Sequence, residues 1–139
     1  MRMGRSAAFA VRALIGAGAL SLALAGSASA QQKITFTDLD SLLREKPLPP
    51  GRTADIIATR HVDASDLQIV VARKIELHIH EDTDHTVFVA RGSGVFRFDG
   101  GARGVKVGDI VTIPKKIVHG FEADPGSEPL VLLVVETPS

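Results

Sequence analysis

Three histidines fall within one short stretch of this chain: His78, His80 and His85. His78 and His80 are two apart in a run, Lys74 to His80, rich in β-formers. Period-two alternation puts them on one face and Ile75, Leu77 and Ile79 on the other, where they are expected to pack as core. If Glu81-Asp82-Thr83-Asp84 is a hairpin loop, His80 and His85 are cross-strand neighbours with Cβ atoms roughly 5 Å apart. Three imidazoles then converge on one patch. Neutral imidazole is the commonest ligand for zinc, copper, iron and nickel, so the chemistry expected here is that of a divalent transition metal. A His-x-His pair alone reads as a solvated face; the third imidazole is what tips the reading.

Composition removes most alternatives. There is no Cys, Trp or Tyr. Disulfides, thiolate metal sites, Cys nucleophiles, Tyr acids and indole stacking platforms are therefore excluded. Lys and Arg number 16 against 16 Asp and Glu, for a formal net charge of zero. A nucleic-acid partner bound through a basic surface is not expected from such a balance.

The elements that must position the histidines begin after an export signal. Arg2, Arg5 and Arg12 precede an apolar run from Ala13 to Ala25, closed by Ala28-Ser29-Ala30. This pattern predicts a secretory signal over residues 1–30, cut after Ala30, and a single domain over 31–139. The apolar run is short of the roughly 20 residues a bilayer span needs, so no membrane anchor is expected after cleavage. Loss of the three arginines takes the net charge from zero to −3, which suits a periplasmic or secreted protein. In the remaining chain, Thr37 to Arg44 reads as one short helix with a capping residue and apolar positions at 39, 42 and 43. Strands are predicted near 54–62, 67–72, 74–80, 85–91, 94–99, 103–107, 109–113, 117–122 and 129–136. Many short strands at close spacing predict an all-β fold, a small β-barrel or jelly roll (double-stranded β-helix) with one N-terminal helix. Leu130 to Val135 is apolar on both faces, so that strand is expected to be central or covered by a partner.

Two segments carry a family resemblance. His78-x-His80, four residues, position 85 and then Gly92 resembles the first motif of the cupin superfamily. Gly108-Asp109 leading to Pro114 and then His119 resembles the second. The resemblance spans about residues 67–136 and implies a metal site of His78, His80, His85 and His119. The superfamily usually has Glu where this chain has His85, so the resemblance does not imply a mechanism that uses that carboxylate as a base. Other departures are Ala72 and Lys116 where Gly is frequent, and Ala123 where Asn is. Four neutral ligands leave the full charge of a divalent ion uncompensated, a strong trap for an anionic ligand. On a six-coordinate ion they leave two positions open; on tetrahedral zinc they close the shell.

The reading is a periplasmic metal-dependent enzyme, dioxygenase-like or isomerase-like, acting on a small oxygen-rich molecule. The alternative is a non-catalytic module that binds a small ligand or a metal. The expected cofactor is a divalent transition metal: iron, manganese, copper, nickel or zinc. Val87 shares the parity of His85 and Phe121 that of His119, so both are expected to line a ligand pocket. Arg91, Arg97, His61 and the Glu81–Asp84 acids read as solvated groups. A homodimer is expected, because open sheet edges invite pairing.

Overall fold

The computed structural model describes residues 33–139; the expected export signal lies outside them. One helix and nine strands follow in order: α1 (Leu39–Glu45), β1 (Ala54–Val62), β2 (Ser65–Ala72), β3 (Lys74–His78), β4 (Thr83–Arg91), β5 (Ser93–Phe98), β6 (Gly101–Lys106), β7 (Ile110–Ile113), β8 (His119–Ala123) and β9 (Leu130–Pro138). The strands form two antiparallel sheets, ordered β1-β2-β9-β4-β7 and β3-β8-β5-β6. This is the all-β jelly-roll architecture read from the sequence. Among the described residues no helix is long and apolar enough to cross a membrane.

Helix α1 starts where Asp38 accepts the Ser41 amide at 2.8 Å, leaving its carboxylate below the ordinary range because it is hydrogen-bonded there. Its Leu39, Leu42 and Leu43 pack on Ile57, Ile69, Val71, Ala90 and Val131, on the outer face of the five-stranded sheet. A second core lies between the sheets, built from Val70, Val87, Val89, Phe121, Leu130, Leu132 and their neighbours. Strands β2 and β9 therefore contribute apolar residues to both faces. Strand β9 sits in the middle of its sheet, so its two apolar faces are covered within the chain. Full burial of a side chain such as Leu130 or Leu132 stabilises the fold by roughly 1.5–3 kcal/mol.

Two expectations about the histidine strand need correction. Residues 81–84 do not close a hairpin: β3 and β4 belong to different sheets, and the segment crosses from one to the other. The apolar face is also not buried as expected, since Leu77 and Ile79 are exposed. The reason is a β-bulge. Ile75 pairs with Phe121 and His78 pairs with His119, so β3 spends one more residue than β8 between these two rungs. The extra residue changes the parity, and Ile75 and His78 both face the interior. Gly120 makes the bulge possible. A Cβ there would lie 2.5 Å from the Ile75 carbonyl oxygen.

Candidate metal centre

The two sheets bring four imidazoles together at one end of the interior. His78 and His119 come from the β3–β8 ladder, His80 from the segment just after β3, and His85 from β4 in the opposite sheet. His85 and His119 are buried, at 7% and 3% exposure, while His78 and His80 are half-buried. Ring centroids are 3.9 Å apart for His80–His85, 4.5 Å for His78–His119 and 4.8 Å for His78–His80. His85 is thus close to His80 although the expected hairpin is absent; the inward faces of facing sheets supply the proximity.

Backbone carbonyls orient two of the rings. His78 Nδ1 lies 2.8 Å from the Glu76 carbonyl oxygen and His119 Nδ1 lies 2.8 Å from that of Ile117. A carbonyl only accepts, so each Nδ1 carries the proton and each Nε2 keeps its lone pair. His78 Nε2 and His80 Nε2 are 3.0 Å apart. Lone pairs this close repel unless a proton or a cation lies between them. The spacing matches two ligands at right angles around an ion with metal–nitrogen bonds of about 2.0–2.1 Å, a separation of roughly 3.0 Å. The donor set therefore fits a divalent transition cation. Burial, then the neighbouring imidazoles His85 and His78, holds His80 below the ordinary histidine pKa. Burial also lowers His85, against the opposing pull of the Glu136 carboxylate, and lowers His119, where the Ile117 carbonyl opposes it. Neutral imidazole is the ligating form.

The donor atoms form two overlapping groups. Those of His78, His80 and His119 all lie within 4.8 Å of one another, as do those of His80, His85 and Glu136. His80 belongs to both. Glu136 was not singled out from the sequence, where it reads as the polar end of an apolar strand. It stands directly opposite His85 on the β4–β9 ladder, its Oε1 3.7 Å from His85 Nε2. The ladder register that pairs these residues is a tertiary property, and the available sequence hint was only that Glu136 shares the parity of inward-facing Leu132 and Val134.

The four imidazoles line a cavity of about 360 Å³, whose apolar wall includes Val70, Val87, Phe121, Leu132 and Val134. Val87 and Phe121, the expected pocket residues, are also members of the inter-sheet core. Gln68 adds an amide to the wall, and Arg52 and Asp55 add a charged pair, 3.2 Å apart. The remaining polar groups lie elsewhere. Arg91 pairs with Asp40 at 3.0 Å, Arg97 with Glu122 at 3.4 Å, and His61 with Asp66, all on exposed side chains. Asp84 accepts the Lys115 amide at 2.8 Å.

Comparison with known proteins accords with this fold. Residues 67–136 match the Cupin domain family. The structure of TT1209 from Thermus thermophilus superposes with a TM-score of 0.64 at 21% identity, covering 76% of this chain and 98% of that one. A cupin-2 domain protein from Shewanella frigidimarina gives 0.58 at 19% identity, covering 73% and 93%. A Klebsiella pneumoniae protein with a double-stranded β-helix domain gives 0.62 at 20%, covering 77% and 91%. No curated protein matches the sequence. The family match across half of the chain, on a jelly roll whose interior gathers His78, His80, His85 and His119, establishes that this chain belongs to the cupin family.

Proposed function

We propose that this chain is an exported, metal-dependent cupin enzyme acting on a small oxygen-rich molecule by dioxygenase-like or isomerase-like chemistry, at a mononuclear centre built on His78, His80, His85 and His119. The observation that carries the reading is the 3.0 Å approach of two Nε2 atoms beside an apolar cavity of about 360 Å³. Bound there, a divalent ion of iron, manganese, copper, nickel or zinc supplies Lewis-acid stabilisation of charge on a substrate oxygen.

The protein's own part is positional. The Glu76 and Ile117 carbonyls fix the tautomers of His78 and His119, so their Nε2 lone pairs stay available. Burial keeps His80, His85 and His119 uncharged near neutral pH. Val87, Phe121, Leu132 and Val134 keep the cavity apolar, which strengthens electrostatic interactions inside it. The pair formed by Arg52 and Asp55 adds no net charge to the lining.

Nitric oxide or azide added to the iron-loaded protein tests the reading. A changed optical or electron paramagnetic resonance spectrum is expected from an open centre. An unchanged spectrum at full metal complement contradicts it and indicates a closed, structural site. A non-catalytic binding module is favoured by one observation: the carboxylate in the cavity lining, Asp55, is already paired with Arg52. Ligand binding with no turnover across small hydroxy and keto acids would select that reading.

A further inference from the structure

We infer that Glu136 supplies the carboxylate of this metal centre, carried on β9 instead of at position 85; the inference rests on the metal-centre reading above. Residues directly opposite on neighbouring strands share a face of the sheet. Glu136 is opposite His85 on the β4 side, so its side chain starts from the same inward face as that imidazole. Its donor atoms and those of His80 and His85 all lie within 4.8 Å of one another.

Three details separate a ligand from an ordinary surface acid. Gln68 Nε2 donates to Glu136 Oε2 at 2.9 Å, which anchors one oxygen and leaves Oε1 facing the imidazoles. The gap of 3.7 Å from Oε1 to His85 Nε2 exceeds hydrogen-bond reach, so the carboxylate is not orienting that ring by a direct bond. Among the described residues no Lys or Arg forms an ion pair with Glu136, whose side chain is only 25% exposed. A half-buried carboxylate with one oxygen held by Gln68 and the other facing imidazole nitrogens is placed to share a cation with them. The consequence is a change of charge. A centre of four imidazoles is neutral, whereas Glu136 brings one negative charge to it and offsets half of a divalent ion's.

The test is cobalt(II) titration of the full-length protein and of Glu136→Gln, followed by visible absorption and by equilibrium dialysis. Gln keeps the volume and can still accept the Gln68 hydrogen bond, but carries no charge. The expected result is at least tenfold weaker cobalt(II) binding with a shifted absorption band. Gln68→Leu, which frees the carboxylate from its anchor, is expected to weaken binding in the same direction and covers the case in which Glu136→Gln fails to fold. Wild-type affinity and an unshifted band in the folded variants would overturn the inference while leaving the metal centre standing. Absence of cobalt(II) binding by the wild-type protein would overturn the metal-centre reading itself, and this inference with it.

Discussion

His78 and His119 are rung partners on the β3–β8 ladder, and each donates its Nδ1–H to the carbonyl two residues before it, at 2.8 Å in both cases. The same local device thus sets two rings from adjacent strands with both Nε2 lone pairs available to a ligand. A short-range backbone contact does what a partner side chain does in many metal sites, and it needs no further polar residue in an apolar interior.

Gly120 is the residue that this pairing depends on. It lies between His119 and Phe121, beneath the bulge that turns His78 inward, and any Cβ there meets the Ile75 carbonyl at 2.5 Å. Backbone cannot swing aside as a side chain can. Gly120→Ala is predicted to destabilise the protein by roughly 1–3 kcal/mol, the range for overpacking, and to lower metal affinity by misplacing His78. Urea unfolding and metal titration measure the two effects; unchanged midpoints and affinity would contradict the role given to the bulge.

Lys116 has a positive φ of 65°, and its amide donates to the His80 carbonyl at 2.7 Å. This left-handed conformation costs a side-chain-bearing residue about 1–2 kcal/mol. Glycine removes that cost but loses roughly 0.5–1 kcal/mol in conformational entropy. Lys116→Gly is therefore predicted to be stabilising by up to about 1.5 kcal/mol, with metal binding retained because the amide remains. Thermal unfolding checks it, and a lower melting temperature would contradict the account of this turn.

The buried imidazoles make apo-protein stability depend on pH. His80, His85 and His119 are depressed below the ordinary value of 6.5, chiefly by burial. Below pH 6.5 the unfolded chain binds protons that the folded chain refuses, so stability is full above 6.5 and is lost as pH falls toward the folded pKa values. Chelator-treated protein is predicted to unfold at progressively lower urea concentration between pH 7.5 and 5, with a weaker dependence in His119→Gln. A flat or opposite profile would contradict the burial of these groups.

Much of this was legible from local pattern. Asp38 and the spacing of Leu39, Leu42 and Leu43 define α1, because capping and helical periodicity are local. The two-faced apolar run of Leu130 to Val135 implies a strand that is either central or covered by a partner, and β9 is the central strand of its sheet. What escaped was set by tertiary register. Leu77 and Ile79 were expected in the core because alternation counts residues evenly, and a bulge between Ile75 and His78 breaks the count. The proximity of His80 and His85 was expected from a hairpin, but it arises across the gap between two sheets. Glu136 could not be paired with His85 without knowing which strands are neighbours and in which register.

The most direct test is metal content. Protein purified from its native host, then analysed by inductively coupled plasma mass spectrometry, is predicted to hold one transition-metal ion per chain. His80→Ala and His119→Ala, folded by circular dichroism, are predicted to lose it. Wild-type protein without stoichiometric metal, or variants with undiminished metal, would contradict the claim that these imidazoles share a cation.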